Sequence, residues 1–199
     1  MSFFNSAYRG TPPWDIGRPQ REFVKLADEG MVNGAVVDLG CGTGENAMMF
    51  AERGSRVLGM DSAPLAIAKA KAKALERRSS AEFLVADALS LPPLGRSFDV
   101  ATDCGLFHTF SDHERKIFAK GLGGILTPGG RYFLLCFSDK EPADWGGPRR
   151  VKKEEIIQTF SQGFRVDSIM PARFEAFQPG YGGHAWLASL TKRGRAKSD

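Results

Sequence analysis

Val36-Val37-Asp38-Leu39-Gly40-Cys41-Gly42-Thr43-Gly44-Glu45-Asn46 joins an apolar run, an acidic residue, three glycines in alternate positions and a helix-compatible stretch. The pattern reads as a buried parallel strand, a tight loop, and a helix whose N-terminus faces a ligand. Glycine suits such a loop because it tolerates unusual dihedrals and leaves no side chain between backbone and ligand. The first amides of the following helix are free donors at the positive end of its dipole, suited to a carboxylate or hydroxyls.

Outward from this stretch, the 199-residue chain is long enough to bury its own core and reads as one domain over 1–199. With 42% hydrophobic and 25% charged residues it has the balance of a soluble enzyme. The net charge of +4 is no nucleic-acid footprint, because part of it sits in Thr191-Lys192-Arg193-Gly194-Arg195-Ala196-Lys197, expected to be a frayed, solvated terminus. Cys41, Cys104 and Cys136 form no CxxC pair and no metal spacing, which fits a reducing cytosol and a cytoplasmic location. The opening residues lack a basic n-region and a long apolar h-region, and no apolar run reaches membrane-spanning length. Neither a signal peptide nor a membrane partner is expected.

Residues 1–18, punctuated by Gly10, Pro12, Pro13 and Gly17, read as irregular. Pro19 suits the first turn of a helix whose apolar face is Phe23, Val24, Leu26 and Ala27. Strands are expected at 35–39, 56–60, 83–86, 98–102, 132–137, 164–169 and 185–190, with helices at about 45–53, 64–78, 111–126 and 152–161. Ser111 with Glu114 has capping-box spacing, and Lys69, Lys71 and Lys73 read as a solvated helical face. Strands alternating with helices predict a doubly wound α/β domain with a mainly parallel seven-stranded sheet. The last two strands lack a helix between them and are expected as an antiparallel C-terminal hairpin at one edge.

Three successive strands end in acidic residues: Asp38, Asp61 and Asp87. In a doubly wound sheet ligands bind at the carboxyl ends of the strands, so the three carboxylates are expected to converge on one cleft. A dinucleotide fingerprint requires G-x-G-x-x-G, but Glu45 stands where the third glycine belongs. A phosphate loop is a weak reading too, because no Lys-Ser/Thr follows the glycines.

Residues 36–44, together with Asp61-Ser62, Val85-Ala86-Asp87-Ala88, Phe98-Asp99-Val100 and Leu126-Thr127-Pro128-Gly129-Gly130, resemble the ordered motifs of class I S-adenosylmethionine-dependent methyltransferases. The resemblance covers roughly 34–137. It implies a Rossmann-like fold, S-adenosyl-L-methionine as cofactor and S-adenosyl-L-homocysteine as product. By the same resemblance Asp38, Gly40, Cys41, Gly42, Gly44 and Asn46 belong to the cofactor loop, with the glycines against the methionine part. Asp61 with Ser62 would hold the ribose, Asp87 with the Ala88 amide would read the adenine, and the backbone near Asp103 would meet the methionine ammonium.

Pro12-Pro13-Trp14-Asp15-Ile16-Gly17-Arg18-Pro19-Gln20 is similar to the N-terminal element of thiol, halide and thiopurine methyltransferases. Bacterial methyltransferases of heterocyclic toxins share the general layout. This likeness makes 1–30 a lid and helix segment and adds Trp14 and Arg18 to the cofactor contacts; an anchoring aromatic and an ordinary ion pair are the competing readings. The acceptor expected is a small apolar aromatic or heterocycle carrying an O, S or N nucleophile.

His108, just past the fourth strand, is read as either a general base or a pocket-shaping residue. Phe107, Trp145, Arg149, Arg150, Phe174 and Tyr181 are the expected acceptor walls, their aromatic richness suiting a flat apolar molecule. An RNA or protein methyltransferase is the first alternative. RNA is not expected, because no Asn/Asp-Pro-Pro-aromatic motif or Pro-Cys pair follows the fourth strand and no basic stripe exists. A cofactor-binding regulatory module without turnover is the second. No metal is expected, and oligomeric state is not legible.

Overall fold

The computed structural model describes residues 3–91, 94–142, 147–177 and 182–194. Its described elements run α1 (Phe3–Ala7), α2 (Arg21–Asp28), β1 (Ala35–Leu39), α3 (Glu45–Glu52), β2 (Arg56–Asp61), α4 (Pro64–Glu76) and β3 (Glu82–Val85). Then follow β4 (Phe98–Cys104), a 3-10 turn (Phe107–Thr109), α5 (Asp112–Ile125), β5 (Leu126–Phe137), α6 (Lys153–Phe160), β6 (Phe164–Phe174) and β7 (Gly183–Lys192).

The sheet order is β3-β2-β1-β4-β5-β7-β6. All pairs from β3 to β5 are parallel, while β7 runs antiparallel between β5 and β6. The strand order reverses direction between β1 and β4, so the loops after these strands diverge and leave a crevice at their carboxyl ends. β1 and the Tyr132–Phe137 part of β5 are buried on both faces, as continuous apolar runs in a covered parallel sheet must be. One core layer packs Phe23, Phe50 and Phe133 against α2 and α3, and the other packs Phe107, Phe118, Tyr132 and Phe160 against α5 and α6.

Several local expectations change. Residues 3–7 are helical rather than irregular, and Asn5 from this turn accepts the Leu65 amide at the start of α4. Pro19 lies outside α2, whose N-cap is Gln20. Ser111 and Glu114 form the expected capping box. β5 begins at Leu126, six residues before the apolar run, because Leu126 pairs with Phe98 and a register shift then bulges Thr127–Gly130 out before Arg131 pairs with Val100. β6 and β7 are longer than hydropathy indicates, since antiparallel hydrogen bonding continues through polar positions. Thr191 and Lys192, read as the start of a frayed tail, close β7.

Candidate active site

The glycine loop sits at the carboxyl end of β1 with Gly40, Gly42 and Gly44 at φ of 69°, 55° and 86°. Space as well as dihedral demands glycine at two of them. A Cβ on Gly42 would meet the Tyr8 hydroxyl at 2.8 Å, and one on Gly44 would meet the Phe83 ring at 2.6 Å. The Asp61 carboxylate fixes the loop from β2, accepting the Gly42 amide at 2.9 Å and the Ala63 amide at 2.8 Å. Burial pushes the Asp61 carboxyl up, and these two amides pull it back part of the way.

Glu45, where a dinucleotide fold has glycine, is buried. Its carboxylate accepts from Lys73 at 2.8 Å and from Arg77 at 2.7 Å. Burial alone would raise its pKa, but Arg77 and Lys73 outweigh it and hold it below the usual range. Lys73 is therefore a partner of the loop helix, which corrects the reading of all three lysines as a solvated face. Lys69 also leaves that face, donating to the Gly10 carbonyl.

The three strand-end carboxylates do not meet in one space. Asp61 and Asp87 line a cavity of about 620 Å³ beside Ser62 and Ala88, whereas Asp38 lies buried beneath the loop. Asp38 Oδ1 accepts the Thr102 hydroxyl at 2.7 Å, and Oδ2 has no partner among the described residues. Burial pushes this carboxyl up to about 7 despite the Thr102 bond. Asp87 is exposed and accepts the Leu89 amide. Asp103 also turns away from the cavity. It is fully buried and accepts the Leu106 and Phe107 amides and the Tyr132 hydroxyl, so its side chain shapes the turn after β4. The cavity-facing residues at this strand end are Cys104 and Gly105.

Beyond Asp61 and Asp87 the cavity widens into an aromatic chamber formed by Trp14, Phe110, Phe137 and Phe174, with His108 and Arg149 in its wall. The 3-10 turn decides which side chains face it: His108, Thr109 and Phe110 line the chamber, while Phe107 points the other way. Phe107 is wholly buried against Phe118, Phe160 and the Arg115 guanidinium, so it is a core residue and not an acceptor wall. Arg149 pairs with Asp112 and Glu155, and Glu155 in turn holds Arg115 at 3.0 Å. The Arg150 guanidinium lies 5.7 Å from the Phe137 ring centroid and does not line the cavity. Trp145 and Tyr181 fall outside the described residues.

His108 is 5% exposed, and its Nδ1 accepts the Phe137 amide at 3.1 Å. Its ring is stacked on Phe137 and tilted against Phe174, with centroids 5.0 and 5.9 Å away. Burial, with Arg115 and Arg150 nearby, lowers its pKa to about 3. The lone pair on Nδ1 is therefore in use and the ring is neutral with its proton on Nε2, an arrangement that argues against the general-base reading.

The N-terminal segment closes over the loop. Trp14 Nε1 donates to the Tyr8 hydroxyl at 3.0 Å, and the Thr43 hydroxyl donates to Asp15 at 2.8 Å. Arg18 borders a smaller cleft along the glycine loop, yet its guanidinium is spent on Glu175. The Asn46 side chain accepts the Gln20 amide, and Cys41 borders the same cleft. Tyr8 and Glu175 were not legible as site residues, because neither spacing nor motif marks them, and Gln20, though it ends the quoted N-terminal element, had no role read for it. Among the described residues no group of three or more His, Cys, Asp or Glu could hold a metal ion, and no helix is long and apolar enough to cross a membrane.

Residues 36–130 match a family described as "Methyltransferase domain". The chain is 37% identical over 191 residues to the 2-heptyl-1-hydroxyquinolin-4(1H)-one methyltransferase of Mycobacteroides abscessus, covering 91% of this chain and 84% of that protein. It is 30% identical to probable thiol methyltransferase 2 of Arabidopsis thaliana, over 81% of this chain and 72% of that one. A solved structure from work on the conversion of a disulfide bond into a thioacetal group during echinomycin biosynthesis superposes with a TM-score of 0.88 at 33% identity. That likeness covers 98% of this chain and 92% of the other. With the glycine loop at the carboxyl end of β1 and a seven-stranded sheet ordered 3-2-1-4-5-7-6, this chain belongs to the S-adenosylmethionine-dependent methyltransferases.

Proposed function

We propose that the protein methylates a small aromatic or heterocyclic molecule on an oxygen, sulfur or nitrogen atom. One observation carries this reading: a single cavity runs from Asp61, Ser62, Asp87 and Ala88 into a chamber walled by Trp14, Phe110, Phe137 and Phe174. A polar end able to grip ribose and adenine thus opens on an apolar end suited to a flat ring. The relatives support the reading, since one is described as acting on an N-hydroxylated quinolone and another on thiols.

The cofactor supplies an electrophilic methyl group on a sulfonium. The residues suit its binding. Asp61, already fixed by two amides, keeps lone pairs for the ribose hydroxyls, and the glycine loop has no Cβ to obstruct the methionine part. The orphan Oδ2 of Asp38 beneath that loop offers one buried acceptor for a donor near the methionine end. Asp87 and the Ala88 amide are assigned to adenine. Trp14 and the backbone after Asp103 close the cavity, and Asn46 and Arg18 act at one remove by holding the N-terminal segment. We treat 1–199 as one domain with 1–30 as a lid. A reducing cytosolic setting suits the free thiols of Cys41, Cys104 and Cys136.

The chain's contribution to the chemistry is to hold the acceptor in line and keep water out. The test is a methyl-transfer screen of thiols, phenols, N-hydroxy heterocycles and an RNA pool with the full chain. Turnover confined to aromatic small molecules is expected. Turnover of RNA alone would sink the reading.

A further inference from the structure

We infer that the acceptor carries an aliphatic tail, which lies along an aromatic rim of Phe3, Phe4 and Trp14 while its ring occupies the chamber. The inference rests on the small-acceptor reading above and narrows the acceptor to rings that bear a saturated chain.

Four aromatic side chains among the described residues stand well out in water: Phe3, Phe4, Trp14 and Phe177, at 73%, 38%, 36% and 66% exposure. Every other described phenylalanine is buried. The first three line the same cavity as Asp61 and the chamber rings. The Phe177 amide donates to the carbonyl of Pro13, another residue of that wall. A single exposed apolar side chain calls for no explanation, but rings gathered at the mouth of a cavity mark a surface that a ligand covers.

The rim is held in place by its neighbours. Asn5, 8% exposed, accepts the Leu65 amide at 2.9 Å and fastens α1 to the start of α4. Tyr8, 4% exposed, accepts from Trp14 Nε1. Phe3 then meets Phe4 edge-on with centroids 5.5 Å apart, and Phe4 meets Trp14 in the same way at 6.1 Å. The three rings thus make a row from the chamber wall outward. Asn5 and Tyr8 anchor α1 without help from Phe3, whose ring is left mostly in solvent.

The row suits a saturated chain. Its one polar group, Trp14 Nε1, is engaged by Tyr8, so the rings offer carbon surface and no free hydrogen-bonding atom. A substituent lying there gains by leaving water, whereas a hydroxyl or a charge would be desolvated without a partner. A protein occupant fits less well. A whole aromatic side chain offers at most about 250 Å². With Phe4 and Trp14 already mostly covered, the rim falls short of the roughly 800 Å² per partner in a stable protein interface.

The test is calorimetric binding of phenols alkylated at the 2- or the 4-position, from methyl to octyl, to the full chain saturated with S-adenosylhomocysteine. In one of the two series affinity should rise by up to about fourfold per added methylene. Phe3→Ser with Phe4→Ser should leave the methyl compound unaffected and weaken the octyl compound about tenfold, as if about two methylenes had lost their cover. Phe3→Leu with Phe4→Leu should keep most of the gain. Equal losses for methyl and octyl compounds in the serine pair, or no loss for either, would overturn the tail assignment and leave the aromatic-acceptor reading intact. Failure of every phenol to bind, with S-adenosylhomocysteine still bound, would overturn both. Sedimentation of the unaltered chain but not the serine pair with phosphatidylcholine–phosphatidylglycerol vesicles would overturn the inference by giving the rim to a bilayer. A dimer lost in the serine pair would overturn it by giving the rim to a second copy.

Discussion

Arg18 and Glu175 stand 157 residues apart and meet in a two-armed pair, each guanidinium nitrogen 2.9 Å from a carboxylate oxygen. Around them Gln20 exchanges two hydrogen bonds with the Glu175 backbone, at 2.8 and 3.0 Å, and the Arg21 amide reaches the same carboxylate. The segment over the glycine loop is thereby latched to the end of β6. The guanidinium is largely exposed, so the pair adds little to global stability. Its effect is local. Arg18→Ala should cost less than about 1 kcal/mol in global unfolding. It should nevertheless speed hydrogen exchange at the Phe177 amide, which donates to the Pro13 carbonyl at 2.8 Å across the same junction. Unchanged exchange there would assign the latch to Gln20 alone.

Asp61 tests the cofactor assignment. Asp61→Ala removes the acceptor proposed for the ribose and also releases the Gly42 and Ala63 amides. Affinity for S-adenosylhomocysteine should fall by about ten- to a hundredfold, as expected for loss of charge-assisted hydrogen bonds. Calorimetry reads this directly, and a thermal melt of the unliganded variant separates binding loss from unfolding. Unaltered affinity would remove Asp61 from the site.

The fold and the glycine loop were legible because each rests on local pattern. Val36 to Gly44 declares strand and loop within nine residues, and Ser111 with Glu114 declares its own helix start. What escaped depends on pairings distant in sequence or on the rotation of a single turn. Nothing in the order of residues says that Gln20 will meet Glu175 or that Lys73 will meet Glu45. Phe107 and His108 are adjacent, and only the 3-10 turn sends one to the core and the other to the cavity. Likewise Asp38 and Asp103 have the strand-end position of cavity carboxylates, yet each is turned inward, Asp38 by the Thr102 hydroxyl on one of its oxygens and Asp103 by turn amides.

Gly44 is a test of the loop's packing. With φ of 86° and Phe83 2.6 Å from the position of a Cβ, Gly44→Ala meets both a dihedral penalty and a clash with a buried ring. The two should together destabilise by about 2–4 kcal/mol. Gly54→Ala serves as a control, because its φ is also positive but nothing lies within 4 Å. A smaller loss at Gly44 than at Gly54 would mean that Phe83 yields freely.

Lys73 and Lys71 separate a held side chain from a solvated one. Lys73 donates to Thr43 and Glu45 at 2.8 Å each, while Lys71 is exposed. Lys73→Met leaves the buried Glu45 carboxylate to Arg77 alone and should cost about 1–2 kcal/mol. Lys71→Met should stay within about 0.5 kcal/mol. Equal effects in chemical denaturation would restore the view of a solvated lysine face.

His108 makes stability depend on pH with a definite sign. Burial lowers its pKa from 6.5 to about 3 in the folded chain, so the unfolded chain binds the proton more readily between those values. The stability it contributes is fully present above about 6.5 and is lost as pH falls towards 3, reaching a loss of about 2 kcal/mol by pH 5. Asp38 and Asp103 act in the opposite direction. Burial raises both to about 7, so the stability they contribute is present below the ordinary carboxylate range and is lost as pH rises through 7. The total curve is therefore flattened, and the histidine must be isolated by difference. Unfolding free energies of the unaltered chain and His108→Phe, measured from pH 7.5 to 5, should converge by about 2 kcal/mol as pH falls. A difference constant over that range would mean that the imidazole is free to protonate where it stands.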